Sequence, residues 1–198
     1  SLLIEIDNSL SCPNEQAIQW LDNRINEVVA ELEYSFSKFR LSDALMSVYK
    51  LVWDDFCSWY LEMIKPDYQA PVDPKTLTAT KELFEKLIKL VHPFMPFITE
   101  ELWANIKERK EDDFITISQW PETVSFNKPL LKDVEFIQEL VTSLRNFRAS
   151  KNILKKDSIE VSIKTDRDTQ FYSTYKAIIK KLANVSSIDL VTEKVEGA

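Results

Sequence analysis

A single glycine in 198 residues, Gly197, constrains this chain more than any other feature of its sequence. A glycine-rich phosphate loop, a dinucleotide fingerprint and a nucleophile elbow each need backbone that only glycine supplies, so none can be built here. What the sequence offers instead is helical periodicity. From about Asn14 the apolar residues Ile18, Leu21, Ile25, Val28, Leu32 and Phe36 recur at three- and four-residue steps, the seam of an amphipathic helix. A second helix, capped by Ser42, carries Leu45, Val48, Tyr49, Val52, Trp53, Phe56, Tyr60, Met63 and Ile64 and stops before Pro66. Being apolar around most of its circumference, it is expected at the centre of a bundle, with Trp53 and Phe56 in the core and Cys57 a small core residue.

Asp73-Pro74 is a cap followed by a first-turn proline and opens a third helix through Leu77, Phe84, Leu87, Ile88 and Val91. The segment His92-Pro93-Phe94-Met95-Pro96-Phe97-Ile98-Thr99-Glu100-Glu101-Leu102-Trp103 then breaks it, because neither proline donates a backbone hydrogen bond. Thr99 as cap, with Glu100 and Glu101 in the first turn, predicts a fourth helix over 99–110. Phe94, Phe97, Ile98, Leu102 and Trp103 are expected as core around this corner, and Trp59 as core of the second helix. Residues 111–128 have no sustained period and read as a loop. Asn127 and Pro129 open a fifth helix, with Leu130, Val134, Ile137, Val141 and Leu144, that runs to about residue 150. Ile159, Val161 and Ile163 then alternate with polar residues as in a strand, followed by a helix over 168–183 and a strand over 188–191. Strand, helix, strand predicts a right-handed crossover, too small to stand alone. Residues beyond Ala198, or the bundle, are expected to complete the sheet. Residues 2–6 read as a strand, and the absence of an initiator methionine suggests a piece of a longer chain. The expected fold is mainly α: an antiparallel helix bundle, residues 1–153, followed by a small, incomplete α/β unit, residues 154–198.

At 44% hydrophobic and 29% charged residues the chain reads as soluble and globular. His92 is its only histidine and Cys12 and Cys57 its only cysteines, so no metal site is expected. Two distant cysteines, no signal peptide and no apolar stretch of membrane length point to the cytoplasm. A net charge of -7 argues against nucleic-acid binding by the whole surface and leaves a local basic face open. The acid pairs Asp54-Asp55 and Glu100-Glu101 do not converge, since adjacent helical residues point about 100° apart. No catalytic residue is assigned.

The proline-kinked segment closely resembles the signature of the helical anticodon-binding domain of class I aminoacyl-tRNA synthetases, in wording nearest the valyl enzymes. Three further segments strengthen the resemblance: Trp53-Asp54-Asp55-Phe56-Cys57-Ser58-Trp59-Tyr60-Leu61-Glu62, Gln119-Trp120-Pro121, and Arg145-Asn146-Phe147-Arg148-Ala149-Ser150-Lys151-Asn152-Ile153. Together they span about residues 14–153, and the last separates valyl from leucyl and isoleucyl enzymes better than the others. The family implies a domain that binds the anticodon stem-loop, followed by a small α/β region and a coiled-coil arm. It implies a parent enzyme that joins valine to its tRNA using ATP. Neither the glycine-containing adenylate signature nor the Lys-Met-Ser-Lys-Ser loop of that enzyme is in this chain, so the fragment should hold no cofactor and do no chemistry alone. Its implied partners are tRNA for valine, its own catalytic domain and the coiled-coil arm, without a membrane.

Trp20 lies about 125° from the first helix's seam, with Arg24 one turn on, a pairing suited to an unstacked anticodon base. An aromatic stands at the matching position in the related synthetases; the residue before it, often basic there, is Gln19. The alternative is that Trp20 packs on a neighbouring helix and Arg24 pairs with Glu27 or Asp22. Lys38 and Arg40, in the turn between the first two helices, are placed to reach tRNA phosphates, or are simply solvated. Arg145, Arg148 and Lys151, with Lys155 and Lys156, form a cluster with no acid among residues 145–156. At three-residue steps the first three would share one helical face suited to the tRNA backbone, or be a solvated face. The competing functions are a helical protein-interaction module and the equivalent domain of a leucyl or isoleucyl enzyme.

Overall fold

The computed structural model describes Ile6 and residues 14–67, 70–154, 156–165 and 167–191. Helix α1, Glu15–Ser37, buries more than its seam: Ala17, Trp20 and Val29 are covered beside Leu21, Ile25, Val28 and Leu32. Its buried face is wide because it packs against both the second helical rod and α4 (Pro74–Val91). The central helix is therefore α1.

The second rod, expected at the centre, instead flanks it. Helix α2 (Leu41–Lys50) continues into a π-helical segment (Leu51–Tyr60) and α3 (Leu61–Ile64). Arg40, not Ser42, stands at its N-cap. Ala44, Val48, Leu51, Phe56, Tyr60 and Met63 are buried, whereas Leu45, Tyr49 and Cys57 are exposed and Trp53 is 60% exposed. Trp53 and Cys57 are thus surface residues, and Trp59 is only half-buried. Tyr60 anchors the rod to α4. Thr80 Oγ1 donates to the Thr76 carbonyl at 2.7 Å, so the Tyr60 hydroxyl, 2.7 Å away, donates to Thr80.

Asp73 caps α4 by accepting from the Thr76 N–H at 2.8 Å, and Pro74 occupies its first turn. The break falls at 92–95, and α5 (Pro96–Ile106) starts three residues before the expected Thr99. Proline's fixed φ and missing N–H suit the first helical position. Thr99 therefore lies inside the helix, buried, its hydroxyl donating to the Met95 carbonyl at 2.8 Å. In this phase Thr99 and Trp103 face inward, while Phe97 is 92% exposed and Ile98 is exposed. The apolar corner is thus carried by Trp103, with Phe94 and Leu102 partly buried. Extended backbone at Lys107 ends α5, earlier than expected. The following loop holds a 3-10 turn, Ile115–Ile117, whose Ile115 packs with Ile88 and Trp103.

Helix α6 spans Lys128–Ser150, followed by β1 (Ile159–Lys164), α7 (Thr169–Ala183) and β2 (Val185–Val191). The strands pair in parallel, Val161 opposite Ile188 and Ile163 opposite Leu190, as strand–helix–strand connectivity requires. Of the N-terminal strand-like run only Ile6 is described, in a parallel bridge to Val72; the rest lies outside the described residues. The chain forms two compact units, Ser1–Lys128 and Pro129–Ala198, so α6 belongs to the α/β unit by packing, although the sequence period changes only near residue 153.

Among the described residues three non-glycine positions adopt left-handed backbone: Phe39 at φ 55°, Asn152 at 53° and Asn184 at 50°. Asparagine tolerates this region; a bulky aromatic does so at a cost of about 1 kcal/mol. Phe39→Asn should accordingly raise stability by about 0.5–1 kcal/mol, read as a higher urea midpoint at unchanged slope. An unchanged midpoint would show that contacts of the ring offset the strain.

Candidate nucleic-acid interface

The residues singled out for RNA contact fall in three environments. Trp20 is 3% exposed, on the flank of α1 that the wide packing covers, and presents no ring face to a base. Arg24 is held nearby by carboxylates. Its Nε donates to Asp55 at 3.0 Å, and its terminal nitrogen serves Glu27 and, at 3.5 Å, Glu31. Asp22, the other expected partner, pairs instead with Lys86 of α4. Burial opposes the charge on Arg24, but Asp55 and the two glutamates outweigh it and raise its pKa. The same burial outweighs Arg24 at Asp55 and raises that carboxyl. Trp20 and Arg24 are thus core and core-edge groups. Helical geometry misplaced them because it takes one seam as the whole buried face.

Lys38 and Arg40 are both exposed in the α1–α2 turn. Among the described residues neither side chain has a hydrogen bond or ion pair. Between them stands Phe39, 89% exposed. An aromatic between two cations is legible in the sequence; its left-handed backbone is not.

The basic cluster of the second unit divides. Arg148 is 7% exposed, and its guanidinium donates to three carbonyls: Leu154 at 2.7 Å, Asp157 at 2.6 Å and Asn184 at 3.3 Å. Arg145 donates through Nε to the Leu182 carbonyl at 3.0 Å. The two arginines fasten the end of α6 to the end of α7 beside a cavity of about 540 Å³. Arg148 alone of the three is buried; Arg145 is exposed beside its bond to Leu182, and Lys151 is exposed with its ammonium 5.9 Å from the Phe147 ring centre. Helix α6 stops at Ser150, so the single basic face expected for 145, 148 and 151 does not form. Lys156 is exposed, and Lys155 lies outside the described residues.

A side-chain network around the kinked corner of the first unit is structural. The His92 ring nitrogens meet the hydroxyls of Thr99 at 2.7 Å and Thr116 at 3.1 Å, and Glu100 accepts the Ile115 N–H at 2.9 Å. Arg109 lies 3.4 Å over the Trp103 ring and bonds Glu85 and Asp113. These contacts staple the loop after α5 to the kinked corner. Hydrogen bonding from Arg109 holds the Asp113 carboxyl below its usual range. Among the described residues no group of three or more His, Cys, Asp or Glu is arranged to hold a metal, and no described helix is long and apolar enough to cross a membrane.

Residues 19–163 match the family described as anticodon-binding domain of tRNA ligase, and the chain belongs to that family. It is 44% identical to the valine–tRNA ligase of Parabacteroides distasonis over 98% of its own length, and 40% identical to that of Christiangramia forsetii over the same share. The Fusobacterium nucleatum valine–tRNA ligase is 34% identical over 88% of the chain. The chain spans only 21–22% of the length of these relatives.

Proposed function

We propose that this chain is the tRNA-recognition part of a valine–tRNA ligase, gripping the anticodon arm of tRNA for valine while other parts of the enzyme attach valine using ATP. The observation that carries this reading is the family match over residues 19–163, joined to valine-enzyme likeness along nearly the whole chain. That likeness favours the valyl enzyme over the leucyl and isoleucyl ones and over a generic interaction module. On this reading residues 1–153 act as the anticodon-binding domain and 154–198 begin the C-terminal region. The partners are the catalytic domain and coiled-coil arm of the same enzyme, in the cytoplasm.

Lys38, Arg40 and Lys151 are the phosphate contacts in this scheme, because their charges lie at the surface. Trp20, Arg24 and Arg148 hold the scaffold, while Arg145, exposed and tied through Nε to the Leu182 carbonyl, serves both the scaffold and the phosphates. Electrophoretic-mobility titration with tRNA for valine and for leucine, at two salt concentrations, tests the reading. Binding should favour the valine tRNA and weaken with salt. Each of Lys38→Ala, Arg40→Ala and Lys151→Ala should weaken both tRNAs alike and flatten the salt slope by about 0.7–0.9. Equal, salt-insensitive binding of the two tRNAs would refute it.

A further inference from the structure

We propose that Phe39 is a stacking platform for one unpaired RNA base, with Lys38 and Arg40 engaging the phosphates on either side. The inference rests on the tRNA-binding reading and goes beyond it by naming the contact. Three independent observations converge on the turn. Phe39 is 89% exposed and makes no ring contact within the described residues, so its side chain adds nothing visible to the fold. Its backbone is held at φ 55° where α1 closes, with the Arg40 N–H bonded to the Ser35 carbonyl at 2.8 Å, a position that usually takes glycine or asparagine and here carries a large aromatic. Residues 34–42 contain two cations and no acid, in a chain of net charge -7, and both cations are without partners among the described residues.

The chemistry of this trio selects its ligand. A protein pocket that received the ring would also cover Lys38 and Arg40 and would need acids to match them. An unpaired nucleotide brings a π-face and two flanking phosphates in one ligand. Stacking on a phenyl ring tolerates any base, so Phe39 contributes affinity for an open loop rather than the identity of the base. Single-stranded RNA loops are where such unstacked bases occur; a duplex hides them.

The test uses the 198-residue chain with two RNAs of equal length, an anticodon-arm hairpin and a fully paired duplex. Phe39→Ala should weaken hairpin binding between about fivefold and a hundredfold while leaving duplex binding and the salt slope unchanged. Phe39→Trp should restore or tighten hairpin binding. Thermal melting of each variant controls for the fold, and the exposed ring makes no loss of stability expected. Unchanged hairpin binding by Phe39→Ala, in a wild-type chain that does bind, overturns this inference and leaves the tRNA reading standing. Equal weakening on hairpin and duplex also overturns it, since a paired helix offers no base to stack. Failure of the wild-type chain to bind either RNA overturns the tRNA reading, and this inference with it.

Discussion

Replacing Arg148 with alanine should cost the α/β unit about 2–4 kcal/mol, although a cation at the end of a helix normally tolerates substitution. Its guanidinium is buried and bonds the carbonyls of Leu154, Asp157 and Asn184, joining the end of α6, the turn before β1 and the left-handed cap of α7. A hydrogen bond from a charged donor is worth about 1.5–3 kcal/mol, and removing the donor leaves the acceptors poorly satisfied. The loss stops short of three such bonds because each carbonyl also accepts a longer bond from another group. Arg148→Lys should recover little, since an ammonium cannot spread donors across three carbonyls as a planar fork does. Hydrogen exchange at the amides of β2 and at Asn184 reads the effect directly, and urea unfolding gives its size. A loss below about 1 kcal/mol in both variants would make Arg148 a surface charge after all.

This prediction marks where the sequence stopped informing the candidate site. The charge imbalance of residues 145–156 was legible, and the cluster is basic as expected. Which arginine points inward was not, because that depends on carbonyls 6, 9 and 36 residues away in sequence. Trp20 fails in the same way. Its angle from the seam is a property of α1 alone, whereas its burial is decided by helices packed on both sides. Lys38 and Arg40 were legible because a short turn between two helices exposes its residues whatever the helices pack against.

The fold was more legible than the site. The first helix, the Asp73-Pro74 start of α4, the break at the two prolines, and strand–helix–strand at the end all follow from local rules, and all are present. The α5 start moved from Thr99 to Pro96 because two good start signals competed, and proline's built-in φ prevailed over a threonine cap. The missed elements are those where the helical period itself changes.

The largest such error concerns Trp53, and it yields a sharp test. Phe56→Ala should cost about 3–5 kcal/mol, whereas Trp53→Ala should cost less than about 1 kcal/mol, although a regular helix places both in one apolar band. The buried positions of the rod run Val48, Leu51, Phe56, Tyr60 and Met63, and the five-residue step from 51 to 56 fits a helix closed by wider, i to i+5 turns. The sequence carries a trace of this. A regular helix would put position 54 or 55 inward after Leu51, and both are aspartate. The π segment carries that pair past the core, leaves Asp55 at its edge with Arg24, and brings Phe56 in to stack on Tyr60 at 5.7 Å and Phe84 at 5.5 Å. Trp53 is left outside, 60% exposed, its ring stacked on Tyr49 with 6.5 Å between ring centres. Removing Phe56 therefore opens a cavity between the rod and α4, while removing Trp53 takes away a ring that is already mostly in water. Chemical denaturation of the two variants decides the matter. Equal losses would mean that the rod is a regular helix with both aromatics in its core.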